Sequence, residues 1–130
     1  MNGIRFLPTK VHGALDYLVG IVLILSPWIF GFSEVVGAAQ NAPLVLGIIL
    51  ILYSLFTDYE WGVFKVLGFG YHLTIDFLVS AVLVLSPWIF GFSDEKTSAW
   101  LLHVIVGLVV IAVVLVSQTT PEEGSGAAAN

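Results

Sequence analysis

Residues 26–33 read SPWIFGFS, and residues 86–93 read SPWIFGFS again. The two copies lie sixty positions apart, and their alignment runs upstream without a gap. Arg5 falls on Lys65, His12 on His72, Asp16 on Asp76 and Leu18-Val19 on Leu78-Val79. Each half therefore reads base, histidine, aspartate, a long apolar run, SPWIFGFS and then an acid, Glu34 or Asp94. Such a duplication predicts two copies of one structural unit.

Composition says where those units sit. The chain is 58% hydrophobic and 10% charged, with a mean hydropathy of +1.03; soluble domains carry about 25% charged residues. A soluble domain this small has too much surface per volume to hide so much apolar side chain. A lipid bilayer removes that constraint. The net charge of -5 comes mostly from acids in short connections and in the tail. Only Arg5, Lys10, Lys65 and Lys96 are cationic, so there is no basic stripe to neutralise phosphates, and nucleic acid is not an expected partner. Cysteine is absent, which removes disulfides, thiolate ligands and thiol redox chemistry.

The apolar runs predict an all-α membrane protein of four transmembrane helices, built from two tandem parallel two-helix repeats. Repeat 1 covers residues 1–60 with spans over about 11–28 and 42–57; repeat 2 covers 61–117 with spans over about 71–88 and 98–117. Residues 118–130, with Pro121, two glutamates and a Gly-Ser-Gly run, read as a disordered tail. Thr9 and Ser98 are the expected helix caps, and Pro43 is expected in a first helical turn, where its missing N–H is harmless. Tyr53, Tyr59 and Trp61 are expected at the membrane interface, and residues 57–70 on the membrane surface, with room for a brief interfacial helix. The start of the chain imitates a signal peptide. His12 and Asp16 are poor signal-core residues, however, and the same pattern recurs from Tyr71 to Ser93, so it reads as a retained span. An even number of spans per repeat predicts a pseudo-two-fold axis along the membrane normal. Arg5, Lys10 and Lys65 fall on one side and Lys96 on the other, which predicts the cytoplasmic (inner) membrane with both termini cytoplasmic.

Within the motif, Pro27 and Pro87 cannot donate a backbone hydrogen bond and disfavour the α conformation before them, so a kink or a stop is expected there. Ser26 and Ser86 can bond back to a carbonyl or cap a new turn. Trp28 and Trp88 suit the headgroup level, and Gly31 and Gly91 allow the chain to turn. The plain reading is a kink, an aromatic anchor and a turn; the sharper one makes the two corners the lining of an external ligand pocket or a partner surface. The duplicated Ser-Pro-Trp in the first helix of each two-helix unit resembles the SPW-repeat family of small prokaryotic integral membrane proteins. The likeness covers the chain apart from its tail. It implies this topology and brings no activity or catalytic residues with it.

His12 and Asp16 are four apart, as are His72 and Asp76, so each pair shares a helix face. A carboxylate within a span costs about 2.5–3.5 kcal/mol at the centre on insertion scales, so these should face protein. Three readings follow. The pairs specify helix packing, each carboxylate accepting from its histidine or from a backbone or hydroxyl group such as Thr74 or Tyr17 of the other repeat. They form a proton- or cation-handling site. Or His12 or His72 ligates a haem or chlorophyll. A His2Asp2 metal site is chemically open to the four residues, though the sequence assigns no metal. His103 has no histidine counterpart, since Pro43 stands there, and reads as a packing or interface residue. No nucleophile–base set or phosphate loop points to an enzyme. Four short helices bury little among themselves, so the expected partners are the lipid bilayer and either further copies of the chain or a larger membrane complex.

Overall fold

The computed structural model describes residues 3–121. Four helices are formed: α1, Thr9–Ile29; α2, Ala38–Leu55; α3, Phe69–Ile89; and α4, Thr97–Val116. All four are long and apolar enough to cross a membrane, α4 most clearly with a mean hydropathy of 2.9. At 1.5 Å per residue they extend about 27–32 Å, close to the thickness of a bilayer core. Residues 122–130 of the expected tail lie outside the described residues. Gln118, at its start, donates its N–H to Leu7 O at 2.9 Å.

The second span begins earlier than its apolar run. α2 starts at Ala38 after Gly37, whose φ of 90° reverses the chain. Gln40 and Asn41 therefore lie in its first turn rather than in a loop, and Gln40 Nε2 donates to Ser33 O at 3.0 Å. Pro43 is thus inside the helix and buried, not in the first turn. The expected caps are also displaced. Pro8 and Lys96 hold the N-cap positions, with no side-chain cap bond. Thr9 Oγ1 instead donates to the Glu60 carboxylate at 2.8 Å, where an ionised acceptor outcompetes a backbone cap. Residues 57–68 form no helix. Their backbone folds back on α2, with Asp58 N–H on Leu67 O at 2.7 Å and Val66 N–H on Phe56 O at 2.9 Å.

Neither proline stops its helix. α1 runs through Pro27 to Ile29, and α3 through Pro87 to Ile89. Pro27 leaves the Leu23 carbonyl without its usual donor, and Ser26 Oγ donates to that oxygen at 2.7 Å; Ser86 Oγ does the same for Leu83 O at 2.8 Å. Both serines are fully buried, so the chain carries its own replacement donor where water is absent. The turn comes at Gly31 and Gly91, with φ of 73° and 74°. Ser26→Ala should cost about 1 kcal/mol, since it leaves a buried carbonyl unpaired. Thermal unfolding in mild detergent will show it as a small fall in melting temperature, with the same change for Ser86→Ala.

Close backbone approach holds each hairpin. A Cβ on Gly47 of α2 would lie 2.7 Å from Gly20 O of α1, and one on Gly107 of α4 would lie 2.8 Å from Ser80 O of α3. Gly20 and Ser80, like Gly47 and Gly107, are sixty apart. The two hairpins meet through apolar clusters at either end. One joins Phe32 and Ala39 to Phe92, Ala99 and Leu102; the other gathers Tyr59, Phe69, Leu73 and Val114. Two backbone bridges close the second end, Leu7 to Ser117 and Thr57 to Leu67. Each joins the start of one sequence copy to the end of the other. Arg5 reinforces the first by donating to Ser117 O at 2.7 Å and Val114 O at 3.1 Å, satisfying carbonyls at the end of α4.

Candidate functional site

His12 and His72 occupy the fourth positions of α1 and α3, and Asp16 and Asp76 follow one turn later. α1 and α3 never bring Cα atoms within 8 Å of each other. The gap between them is filled by these four side chains. The two histidines are fully buried, Asp76 is 1% exposed and Asp16 6%.

The four close into a cycle. His12 Nε2 lies 3.2 Å from Asp16 Oδ1 and 2.8 Å from Asp76 Oδ2; His72 Nε2 lies 3.0 Å from Asp16 Oδ2 and 3.2 Å from Asp76 Oδ2. On each histidine the contact across to the other helix is the shorter one. Pairing between the repeats therefore outweighs the i, i+4 pairing that the sequence makes visible.

An outer ring orients the cycle. Ser117 Oγ lies 2.6 Å from His12 Nδ1, and Thr57 Oγ1 lies 2.7 Å from His72 Nδ1. Each hydroxyl also donates to the carbonyl one turn before it, Ser117 to Val113 O and Thr57 to Tyr53 O, both at 2.6 Å. A hydroxyl has one proton to give. With that proton on the backbone, each oxygen can only accept from its histidine, so both Nδ1 atoms carry hydrogen. Tyr53 Oη donates to Asp76 Oδ1 in a very short bond, and Tyr59 Oη donates to Asp16 Oδ2 at 2.7 Å. Tyr59 lies between the spans. Its burial, and then the Asp16 charge, push its phenol well above the usual range, which keeps it a donor.

Thr74 and Tyr17 do not serve the carboxylates. Thr74 bonds back to Gly70 O at 3.1 Å and Tyr17 donates to Trp61 O at 2.8 Å. Tyr59, expected at the interface, is only 2% exposed, whereas Trp61 is 46% exposed. Both Nε2 atoms face carboxylates, so the lone pair that an axial ligand would offer a haem or chlorophyll is directed into the cycle. A cavity of about 50 Å3 borders the same carboxylates; Asp16 and Asp76 line it with Leu15, Val19, Leu50 and three valines of α4.

The motif corners lie at the other ends of α1 and α3, eleven residues beyond each aspartate, about 16 Å along the helix. Trp28, Ile29 and Phe30 are 45–57% exposed there, as are Trp88, Ile89 and Phe90 at 52–61%. Apolar grooves of about 320 and 280 Å3 run beside Phe30 and Phe90. His103 does not belong to either site. It is buried between Phe32 and Phe92, with ring centroids 6.2 and 4.8 Å away, and its Nδ1 donates to Ala99 O at 2.6 Å.

A family model described as the SPW repeat domain matches residues 10–117. The chain belongs to the SPW repeat family. No curated protein and no solved structure matches it. The SPW repeat accounts for the corners, and the matched range also contains all four residues of the cycle.

Sequence reasoning on the SPW repeat missed the outer ring. Thr57 and Ser117 are hydroxyl residues sixty apart, a signal the alignment of the halves contains. Tyr53 and Tyr59 carry no such mark, since Val113 and Thr119 stand at the corresponding places.

Proposed function

We propose that this SPW repeat protein is a structural, accessory subunit of the cytoplasmic membrane, with the His–Asp cycle locking its two repeats together. The observation that carries the reading is that each carboxylate contacts both histidines, one from each repeat, at 2.8–3.2 Å. Such a lock specifies which helices meet where dispersion and lipid entropy alone discriminate poorly. The two repeats are related about an axis along the membrane normal. Both termini face the cytoplasm, with Arg5, Lys10 and Lys65 on that side. The Trp-Ile-Phe surfaces at the opposite end are the natural docking faces for further copies or a larger assembly. Purification in mild detergent with mass determination tests this: an oligomer or a co-purifying membrane complex is expected. A monodisperse monomer with no partner after in-membrane cross-linking would sink the accessory role.

A second reading, proton or cation handling, is favoured by the small cavity against Asp16 and Asp76, which has room for a few water molecules at about 10–15 Å3 each. In liposomes it predicts pH-driven flux that Asp76→Asn abolishes. Absence of flux under every imposed gradient would remove it.

A further inference from the structure

The hydrogen bonds around the cycle leave its centre short of positive charge. Both Nδ1 atoms hold the single proton of a neutral imidazole, donated to Ser117 and Thr57. In that form both Nε2 atoms present bare lone pairs to carboxylate oxygens 2.8–3.2 Å away. Lone pair facing lone pair at that distance is repulsive. Each carboxylate also accepts from a tyrosine hydroxyl, Asp76 through Oδ1 and Asp16 through Oδ2, which favours its charged form over one that carries the proton itself. Two positive charges are needed, and either two protons or one divalent ion supplies them. Both choices leave the buried site neutral.

The geometry favours the ion. His12 Nε2 is aligned on Asp76 Oδ2 at 2.8 Å, but His72 Nε2, fully buried, makes no hydrogen bond although two carboxylates stand beside it. A proton needs a linear path to its acceptor, whereas a metal ion needs only converging lone pairs. One donor atom from each of His12, Asp16, His72 and Asp76 lies within 4.8 Å of the others. A four-coordinate first-row ion with bonds of about 2.0–2.2 Å sets neighbouring ligand atoms about 3.3–3.6 Å apart. The four histidine–carboxylate separations of 2.8, 3.0, 3.2 and 3.2 Å fall short of that by half an ångström or less. The outer ring also has the form of a metal site's support, with each ligating imidazole donating through its far nitrogen and each carboxylate held by a hydroxyl.

We infer that His12, Asp16, His72 and Asp76 form a binding site for a divalent first-row transition ion, with zinc the best match to two imidazoles and two carboxylates. The inference rests on the structural reading of the same residues and makes the lock a metal lock. Uptake exchanges two protons on the imidazoles for one ion: two Nε2–H bonds break, two metal–nitrogen and two metal–oxygen bonds form, and the protons leave to solvent.

The test uses the full chain purified in mild detergent without chelators. Elemental analysis should find about one transition ion per chain. Removing it with a strong chelator should lower the melting temperature by about 10 °C, and added zinc should restore it. Weakly buffered titration of the chelated protein with zinc should release two protons per ion. Cobalt in its place should give the visible absorption of a four-coordinate nitrogen–oxygen site, lost in Asp16→Asn and in His72→Gln. A stable metal-free protein with no zinc-linked proton release and no cobalt band overturns the inference. If that protein is nonetheless strongly destabilised by Asp76→Ala, the lock is protonic and the structural reading stands. If an ion binds but its removal leaves stability unchanged, the site stands and the lock falls.

Discussion

Asp76→Ala is expected to destabilise the detergent-solubilised protein more than any other single change at the cycle, by about 3–5 kcal/mol, or roughly 10 °C in melting temperature. The size follows from what is orphaned at once. Tyr53 Oη loses its acceptor, and the fully buried His12 and His72 Nε2 atoms each lose one of their two carboxylate contacts and keep only Asp16. A single interhelical hydrogen bond in a membrane is worth only about 0.6 kcal/mol on average, so Tyr53→Phe should be mild by comparison. Asp76→Asn should fall between, because an amide oxygen can still accept from Tyr53 while the charge is lost. A double-mutant cycle between His12 and Asp76 should give a coupling of about 1–3 kcal/mol, despite the separation of their helix backbones. An Asp76→Ala protein that melts within two degrees or so of the parent would show that the cycle holds nothing together.

Gly47→Leu should be comparably severe for a different reason. Even the first carbon of a side chain at Gly47 meets Gly20 O at 2.7 Å and Ile24 at 2.9 Å, and the nearest atom is backbone that cannot rotate away. Inserting bulk into such a contact costs about 1–3 kcal/mol when neighbours can adjust, and more when a helix must move. The expected result is a loss of folded, monodisperse protein, matched by Gly107→Leu against Ser80 O. Gly70→Ala is the control, since a Cβ there has nothing within 4 Å. If Gly47→Leu and Gly70→Ala behave alike, the hairpin does not depend on that contact.

Much of this architecture was legible because apolar runs and repeated motifs are local properties. Four spans could be counted from hydropathy, and the matched copies of SPWIFGFS marked equivalent helix ends. The misjudged boundary, at α2, arose because Gln40 and Asn41 look like loop residues until Ser33 O is seen to receive the Gln40 amide. Of the kink or stop expected at Ser26-Pro27, the stop gave way for a similar reason. Proline's penalty is a missing donor, and the serine beside it provides one. Ser98 illustrates the converse. It has the residue type of a cap, but the chain enters α4 two residues too early for it to act, and its hydroxyl is buried without a partner.

The sequence by itself determined that the chain spans a membrane four times, that its halves repeat, and that His12, Asp16, His72 and Asp76 must avoid lipid. Those conclusions need only composition, a sixty-residue offset and the cost of charge in hydrocarbon. Only the tertiary structure decided that the two pairs meet in one cycle, that the cross-helix contacts are the shorter ones, and that Thr57, Ser117, Tyr53 and Tyr59 orient them. Spacing along a helix reports which residues share a face. It cannot report how far apart two faces lie, and here the α1 and α3 backbones stay more than 8 Å apart, so only their side chains can meet.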